Sequence, residues 1–385
     1  LGPPGDEYSS RILGTEASSL VGYWPLWDAG TAAVNVQGAG RAGTHTAVAM
    51  SNAGIGDGRT SGLYDGSTSY TNIYTAEMAG TELITNGGFE TAGGGGADIW
   101  GTWEESTGTG AIADEGALVH GGSHAAKLTA GASWWDTFIK TPPLVVVAGA
   151  TYQLTFWTRG DGTSPGRYGI WNSSSASWIA ANISTGVAGT TYTQVSVPFT
   201  APAGCIAVRI YLYPPNVNGG IAYFDDVSVK AVNPFNGAEG TLLIWAKVSA
   251  AGVWTDGAAR GMVYLVVDAN NKIFLAKNST DNQIIVDYKA GGTDELATFA
   301  ATSLNFMAVA ATWSQSGDSV KWYLNGAQAA SATSIGTWAG TPAATTTVIG
   351  AGTTVPANVW SGSLAHCALW SKALSADQIA YLSKV

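Results

Sequence analysis

The sequence predicts an all-β protein of two β-sandwiches, one inserted into a loop of the other, with a short C-terminal helix. Three observations lead there. First, Gly (51 residues) and Trp (16) are abundant while charged residues are only 11% of the 385, the composition of short strands joined by tight turns. Second, apolar and polar residues alternate through most of the chain. Third, two strand-like segments, YFDDVSV and GTLLIWAKV, follow one another with no Ser-, Pro- or charge-rich linker between them. The first reads as closing one domain and the second as lying deep inside another.

The elements follow in order. Residues 1–19 read as an N-terminal leader, and the two Gly-X-Y triplets of LGPPGDE leave open a Pro-rich leader or the end of a collagen-like stalk. Residues 20–79 offer a few strands (LVGYWPLW, SGLYDGSTSYTNIY), too few to close a sandwich. Residues 80–232 form a self-contained set running from ELITNGGFE to YFDDVSVK. Within it, TYQLTFWTR (151–159) places Tyr152, Leu154 and Phe156 on one side and Trp157 and Arg159 on the other. AVRIYLY (207–213) buries Val208, Ile210 and Leu212 and turns Arg209, Tyr211 and Tyr213 outward. Residues 233–385 begin mid-fold; VKWYLNGAQ ends a strand in Asn-Gly, a strong hairpin signal. Ser375-Ala-Asp-Gln378 is a capping box with Ile379 and Leu382 on one face, and only this segment reads as helical. The flanks 20–79 and 233–385 together make one discontinuous domain around the insert. Insertion requires only that the guest's ends lie close together and that the host loop is exposed.

Charge and pattern exclude several classes. With a net charge of −10 and no Lys/Arg run, no nucleic-acid or anionic-membrane partner is expected. Apolar runs all fall short of a membrane span, so no membrane insertion is expected. Cys205 and Cys367 sit in apolar alternating strands and read as buried hydrophobes rather than a disulfide. Gly38–Gly43 fits G-x-G-x-x-G, but the β-branched, polar THTAVAMS that follows cannot supply the helix a dinucleotide site needs. Gly162–Gly166 fits G-x-S-x-G, yet Pro165 and the strand RYGIWN make it a hairpin loop, not a nucleophile elbow. His120 and His124 have a metal spacing only on a helix, which the intervening Gly-Gly-Ser opposes. His366, in an alternating strand, reads as a packing residue.

The flanks resemble the laminin-G-like, concanavalin-like jelly-roll family. The resemblance is carried by VGYWPLWD (21–28), LYDGSTSYTNI (63–73), GTLLIWAKV (240–248), MAVAATWSQSGDSVKWYLNGAQ (307–328) and WSGSLAHCALWSKALSADQIAYL (360–382). The insert resembles carbohydrate-binding modules of the family 4/9/22 type, also jelly rolls. Its matching segments are ITNGGFE (84–90), Trp100 or Trp103, HGGSHAAKL (120–128), GATYQLTFWTRG (149–160), YTQVSVPFTAPAG (192–204), VRIYLY (208–213) and AYFDDVSV (222–229).

Sugar binding needs flat aromatic faces flanked by a few planar hydrogen-bonding groups. The resemblance puts outward positions of this kind on the glycan-binding sheet: Trp157, Arg159, Tyr211 and Tyr213, with Trp171, Trp134 and Trp135 as platform or rim. The alternative is that these rings pack under loops or against the host domain. The resemblance also implies a structural Ca²⁺ on Glu90 and on Asp225 or Asp226, an oxygen-only set that suits the ion; the alternative is that an aspartate caps a loop. Glycosidases on this scaffold typically carry a Glu-x-Asp-x-(x)-Glu strand. None occurs in 233–385, where Asp256, Asp268, Asp287, Asp294 and Glu295 are scattered, and the pairs Glu104-Glu105 and Asp114-Glu115 read as solvated. The implied protein is not an enzyme but a glycan-binding or adhesion protein, extracellular and displayed on a cell surface or a virion, as a phage structural protein would be. Its partner is a polysaccharide or glycan, and a homo-oligomer or repeated array is expected. A structural coat, fibre or filament subunit is the alternative, and a glycoside hydrolase the third reading.

Overall fold

Strand Ser361–Trp370 pairs on one side with Glu239–Val248, which follows the insertion, and on the other with Leu20–Trp24 and Thr60–Asp65, which precede it. The computed structural model describes residues 6–28, 30–36, 41–96, 98–232 and 234–385. They divide into two units, one of residues up to Gly80 together with those from Pro234 onward, the other Thr81–Val232.

The first unit, the host, holds two antiparallel sheets. One runs Ala327–Ala332, Ser319–Leu324, Met307–Ser314, Glu239–Val248, Ser361–Trp370, Thr60–Asp65 and Ala49–Ala53, with Leu20–Trp24 alongside. The other runs Ala32–Ala33, Gly43–Thr46, Tyr70–Asn72, Thr347–Ile349, Arg260–Val266, Lys272–Lys277, Gln283–Ala290 and Thr293–Ala300. Val21, Trp24, Tyr64 and Met78 from before the insertion share one core with Leu242, Ile244, Trp254, Trp313 and Trp360 from after it. The expected turn is present: Asn325 (φ 50°) and Gly326 (φ 81°) join two paired strands as a left-handed Asn-Gly step. So is the capping box, with Ser375 Oγ accepting from Gln378 N–H and Gln378 Oε1 accepting from Ser375 N–H at 2.8 Å.

Three sequence expectations change. The segment read as a leader contains a helix, Asp6–Gly14, whose Tyr8 and Ile12 are buried in a second cluster with Tyr23, Trp245, Trp370 and Leu382. Trp245 Nε1–H donates to Tyr8 Oη, which donates to the Leu382 carbonyl, both at 2.6 Å. Of the two collagen-like triplets, residues 2–7, the first four residues lie outside the described residues, and Asp6 and Glu7 open this helix. His366 does more than pack: Nδ1 lies 2.7 Å from Tyr23 Oη and Nε2 3.0 Å from Asp57 Oδ2, in full burial. The Gly162–Gly166 segment connects strands of two different sheets, Thr151–Gly160 and Arg167–Asn172, so it is a crossover rather than a hairpin loop. Of the other glycine pattern, Gly38–Gly40 lie outside the described residues, and Gly43 opens a strand.

The inserted unit, the guest, is a sandwich whose alternation matches its burial. A five-stranded sheet runs Ala111–Glu115, Ala125–Thr129, Ile221–Ala231, Thr151–Gly160 and Thr193–Thr200. A six-stranded sheet runs Ser177–Ser184, Arg167–Asn172, Ala207–Tyr213, Phe138–Lys140 and Glu104–Ser106, with Leu144–Val145 also on Ala207–Tyr213. Leu154, Phe156, Ile170, Ile210, Leu212 and Phe224 fill its core. Cys205 and Cys367 are free, buried, and in different units. Among the described residues no helix is long and apolar enough to cross a membrane.

Both sides of the splice are closed by backbone hydrogen bonds. In the guest, Leu83 N–H donates to the Val229 carbonyl at 3.0 Å; in the host, Phe235 N–H donates to the Met78 carbonyl at 2.7 Å. Each unit is therefore expected to fold without the other. Residues 81–232 alone, and the host with the guest replaced by a short Gly-Ser linker, should each melt in a single cooperative transition by circular dichroism. A broad, non-cooperative melt of either piece would show that closure needs both.

Candidate functional site

The outer face of the guest's six-stranded sheet gathers aromatic side chains in cross-strand rows. Strict alternation in Ala207–Tyr213 sends Val208, Ile210 and Leu212 inward and leaves Arg209, Tyr211 and Tyr213 on the outer face. In the register, Arg209 faces Trp171, Tyr211 faces Gly169 and Lys140, and Tyr213 faces Arg167. Trp178 faces Trp171 from the next strand. A Cβ at Gly169 would lie 2.7 Å from Trp178 Cζ3, so the missing side chain is what lets the Trp178 indole lie over the middle of the sheet.

The rings then form a continuous string. Centroid separations are 4.9 Å for Trp171–Trp178, 5.1 Å for Trp178–Tyr211 and 5.8 Å for Tyr211–Tyr213. Trp134 stands 6.0 Å from both Tyr213 and Trp135, and Phe138 packs against both tyrosines. Tyr211 and Tyr213 are nearly parallel, at 13°, while most other contacts are edge-to-face, the favoured arrangement for ring quadrupoles. Trp135 is 58% and Trp178 38% exposed. Tyr213, expected as a contact residue, is only 4% exposed under Trp134 and Phe138, and burial raises its pKa. It supports the face from beneath.

Polar groups are set among the rings. Glu104 accepts from Arg209 Nη1–H and lies 3.2 Å from Lys140 Nζ; Arg209 Nη1 also donates to the Thr141 carbonyl at 2.9 Å. Burial alone would raise the Glu104 pKa, but Arg209 and Lys140 together hold it below its usual value. Arg167 donates through Nη2 to the Asn182 carbonyl and lies 5.2 Å over the Trp134 ring. Sequence reasoning missed Trp178, Phe138, Lys140 and Arg167. Of the polar groups on this face, Arg209 alone was placed outward by the sequence, through its alternation with Tyr211.

Trp157 and Arg159 do not join this face. They stand on the outer side of the five-stranded sheet, the opposite surface of the sandwich. There the His120 imidazole stacks on the Trp157 ring at 3.7 Å and 12°, with Tyr192 at its edge, while Arg159 lies over Tyr223 at 4.9 Å. The seven aromatic and arginine residues expected to bind sugar are thus split five and two, and the Trp157 ring face is already covered.

Glu90, Asp225 and Asp226 meet where ITNGGFE, HGGSHAAKL and AYFDDVSV interlock. Buried Asp225 accepts from the backbone N–H groups of His120 (2.8 Å), Gly121 (3.1 Å) and Asp226 (2.8 Å). Glu90 Oε1 accepts from Ser123 N–H and His124 N–H at 2.8 and 3.0 Å, and Asp226 Oδ2 lies 2.7 Å from His120 Nδ1. The loop-capping role is therefore filled by Asp225 and Glu90. Burial raises the Asp225 pKa, and the Asp226 charge adds to this against the three N–H donors. Carboxylate oxygens are hard donors of the kind calcium takes. Among the described residues, however, no three His, Cys, Asp or Glu side chains are gathered as a metal cluster.

In the host, Asp256 pairs with buried Lys277 and with Arg260, each at 2.7 Å, and Asp268 accepts from the backbone of Asn270 and Asn271. Asp287 and Asp294, which look scattered in sequence, are neighbours across the hairpin Gln283–Ala300. Burial, with Asp294 alongside, pushes Asp287 up to about 6, although Lys272 Nζ is 2.7 Å away.

A β-sandwich with an exposed aromatic string across one sheet is the architecture of a lectin-type binding module. Residues 81–218 match the carbohydrate binding domain family of the 4/9 type, and residues 219–380 match the concanavalin A-like lectin/glucanases superfamily in its laminin-G form. Over these two stretches the chain is similar to a laminin-G-like jelly roll interrupted by a carbohydrate-binding module. The structural seam falls after the family seam, because strand Ile221–Ala231 pairs within the guest. Among solved structures, the chain is similar to the Ruminococcus gnavus IT-sialidase CBM40 (14% identity, 39% of this chain and 84% of that one, TM-score 0.32). It is also similar to the CBM22-1 xylan-binding domain of Paenibacillus barcinonensis Xyn10C (11%, 40% and 96%, 0.31). A third is domain 4 of AbnA, an arabinanase of Geobacillus stearothermophilus (15%, 39% and 71%, 0.30). No curated protein matches the chain.

The capping role of Asp225 has a measurable consequence. Asp225→Asn turns an NH₂ group toward N–H donors, and should destabilise the guest by about 1–3 kcal/mol in denaturant melts. An unchanged midpoint would mean the loop is held by other groups.

Proposed function

We propose that this protein is a non-catalytic glycan-binding, adhesive protein displayed on a cell or virion surface, and that it takes saccharide on the outer face of the guest's six-stranded sheet. The observation that carries this is the Trp178 indole, held over Gly169 and left exposed between Trp171 and Tyr211. Such rings present π-faces to the C–H-rich side of a pyranose. Lys140, Glu104 and Arg209, fixed by one another, supply oriented hydrogen-bonding groups beside them.

The non-catalytic reading is supported at this face by its single carboxylate. Hydrolysis takes two, one of them poised as an acid, whereas Glu104 is alone and held ionised by two cations. Single modules of this kind gain from repetition, so we propose an oligomer or array acting by avidity. A structural calcium ion belongs to the same reading, with Glu90, Asp225 and Asp226 as its carboxylates, tying together the loops that those residues now cap.

On a glycan array, Trp178→Ala and Trp135→Ala should lose about tenfold or more in affinity, as exposed aromatic anchors that a ligand covers do. Trp157→Ala should bind like the parent chain, because His120 already covers that ring. The reverse pattern would move the site to the other sheet. Absence of any glycan binding, with concentration-dependent assembly, would favour a structural subunit. For calcium, chelation should lower the melting temperature of the guest and Ca²⁺ but not Mg²⁺ should restore it; a melt indifferent to both would remove the ion from the proposal.

A further inference from the structure

The guest is acidic, yet its aromatic face is not. Of the six Lys and Arg residues between 81 and 232, three, Lys140, Arg167 and Arg209, stand on this one surface. Of the eleven Asp and Glu residues in the same span, only Glu104 stands among the rows. Its neighbour Glu105 turns its carboxylate to the Trp100 N–H, and Asp136, beside Trp135, accepts from Thr109. One carboxylate cannot balance three cations, so the face carries an excess of positive charge. At physiological ionic strength charges are screened over about 8 Å, so these local groups outweigh the chain's distant negative ones for a ligand lying on the rings.

Arg167 lies furthest from compensation. Its partners in the register are Tyr213 and Ser184, its stacking partner is Trp134, and among the described residues its side chain donates to a backbone carbonyl and pairs with no carboxylate. A neutral sugar laid over this guanidinium would strip water from an unpaired cation, which is costly. A carboxylate or sulfate would meet it as a charge-assisted, two-pronged hydrogen-bond partner. Lys140 and Arg209 share Glu104 and together leave a second net positive charge on the other side of Tyr211.

We propose that the glycan bound by this face is acidic, bearing carboxylate or sulfate groups that meet Arg167 at one end of the aromatic string and the Lys140–Arg209 pair beside its middle. This rests on the glycan-binding reading above and narrows it to a substrate class. The experiment is calorimetric titration of the full chain with oligogalacturonate, a sulfated glucan oligosaccharide and neutral xylo- and gluco-oligosaccharides.

At about 0.01 M ionic strength an acidic ligand should bind about tenfold or more tightly than the neutral ones, and at about 1 M, where the screening length is near 3 Å, the advantage should vanish. Arg167→Gln should remove about tenfold of acidic affinity with the melting temperature nearly unchanged, and Arg209→Gln should lower acidic affinity by a larger factor than neutral affinity. Arg167→Lys, which keeps the charge without the fork, should fall between and guards against misfolding of the Gln variant. Preference for the carboxylated or for the sulfated ligand identifies the source of the charge, and either supports the inference. Neutral ligands binding as tightly, without salt dependence, would overturn the acidic assignment and leave glycan binding standing. If no saccharide binds, both fall.

Discussion

The host exists because one strand finds partners on both sides of a long interruption. Ser361–Trp370 completes ladders with Leu20–Trp24 and Thr60–Asp65 on one edge and Glu239–Val248 on the other. Every buried backbone N–H and C=O in those strands must be paired, so neither flank has a stable fold alone. Contacts this distant in sequence form late, after the closure entropy of the intervening chain has been met. A guest that folds by itself lightens that cost. Its own ends are drawn together by the Leu83–Val229 hydrogen bond, and the host chain on either side is clamped by Phe235 and Met78.

From that closure follows the location of the aromatic face. Outward positions recur every second residue, so two neighbouring strands in register place Arg209 beside Trp171, Tyr211 beside Gly169 and Tyr213 beside Arg167 without any loop having to aim them. Rings carried on paired strands are held more firmly than rings on loops, which favours recognition by a preformed surface. Gly169 is the departure from pattern that makes the face work. It sacrifices an outward side chain so that Trp178 can fold inward across the sheet.

The architecture was legible because its signals are local. Alternation gave Tyr152–Phe156 and Val208–Leu212 their burial, Asn325-Gly326 its turn and Ser375–Gln378 its cap. The site was legible only where a strand alternates cleanly. Ser177–Ser184 does not: its pairing with Arg167–Asn172 shifts register twice, so the direction of Trp178 could not be read from its neighbours. Trp157 shows the converse limit. The strand period correctly puts it outward, but says nothing of which sheet it faces from, or that His120 arrives from a distant loop to cover it. The helix Asp6–Gly14 carries just one buried apolar pair, Tyr8 and Ile12, too short a period to stand out beside Gly and Pro. Asp287 and Asp294 are brought together by the hairpin register, which their spacing does not reveal.

Two of the segments that carry the guest's family resemblance, ITNGGFE and HGGSHAAKL, are consumed by its fold. A Cβ at Gly87 would collide with the Val227 carbonyl, and one at Gly122 with the Glu90 carboxylate, so the glycines of ITNGGFE and HGGSHAAKL are required by close backbone approach. Glu90 and Asp225 spend their oxygens on the N–H groups of His120, Gly121, Ser123 and His124. These residues lock one loop to another and leave nothing for a saccharide beyond the stability of the scaffold. The aromatic face draws instead on Trp178, Arg167, Lys140 and Glu104, all outside those motifs. A module built this way can keep its fold while its aromatic face changes, because the residues that lock these loops and those added to the face by Trp178, Arg167, Lys140 and Glu104 are different ones.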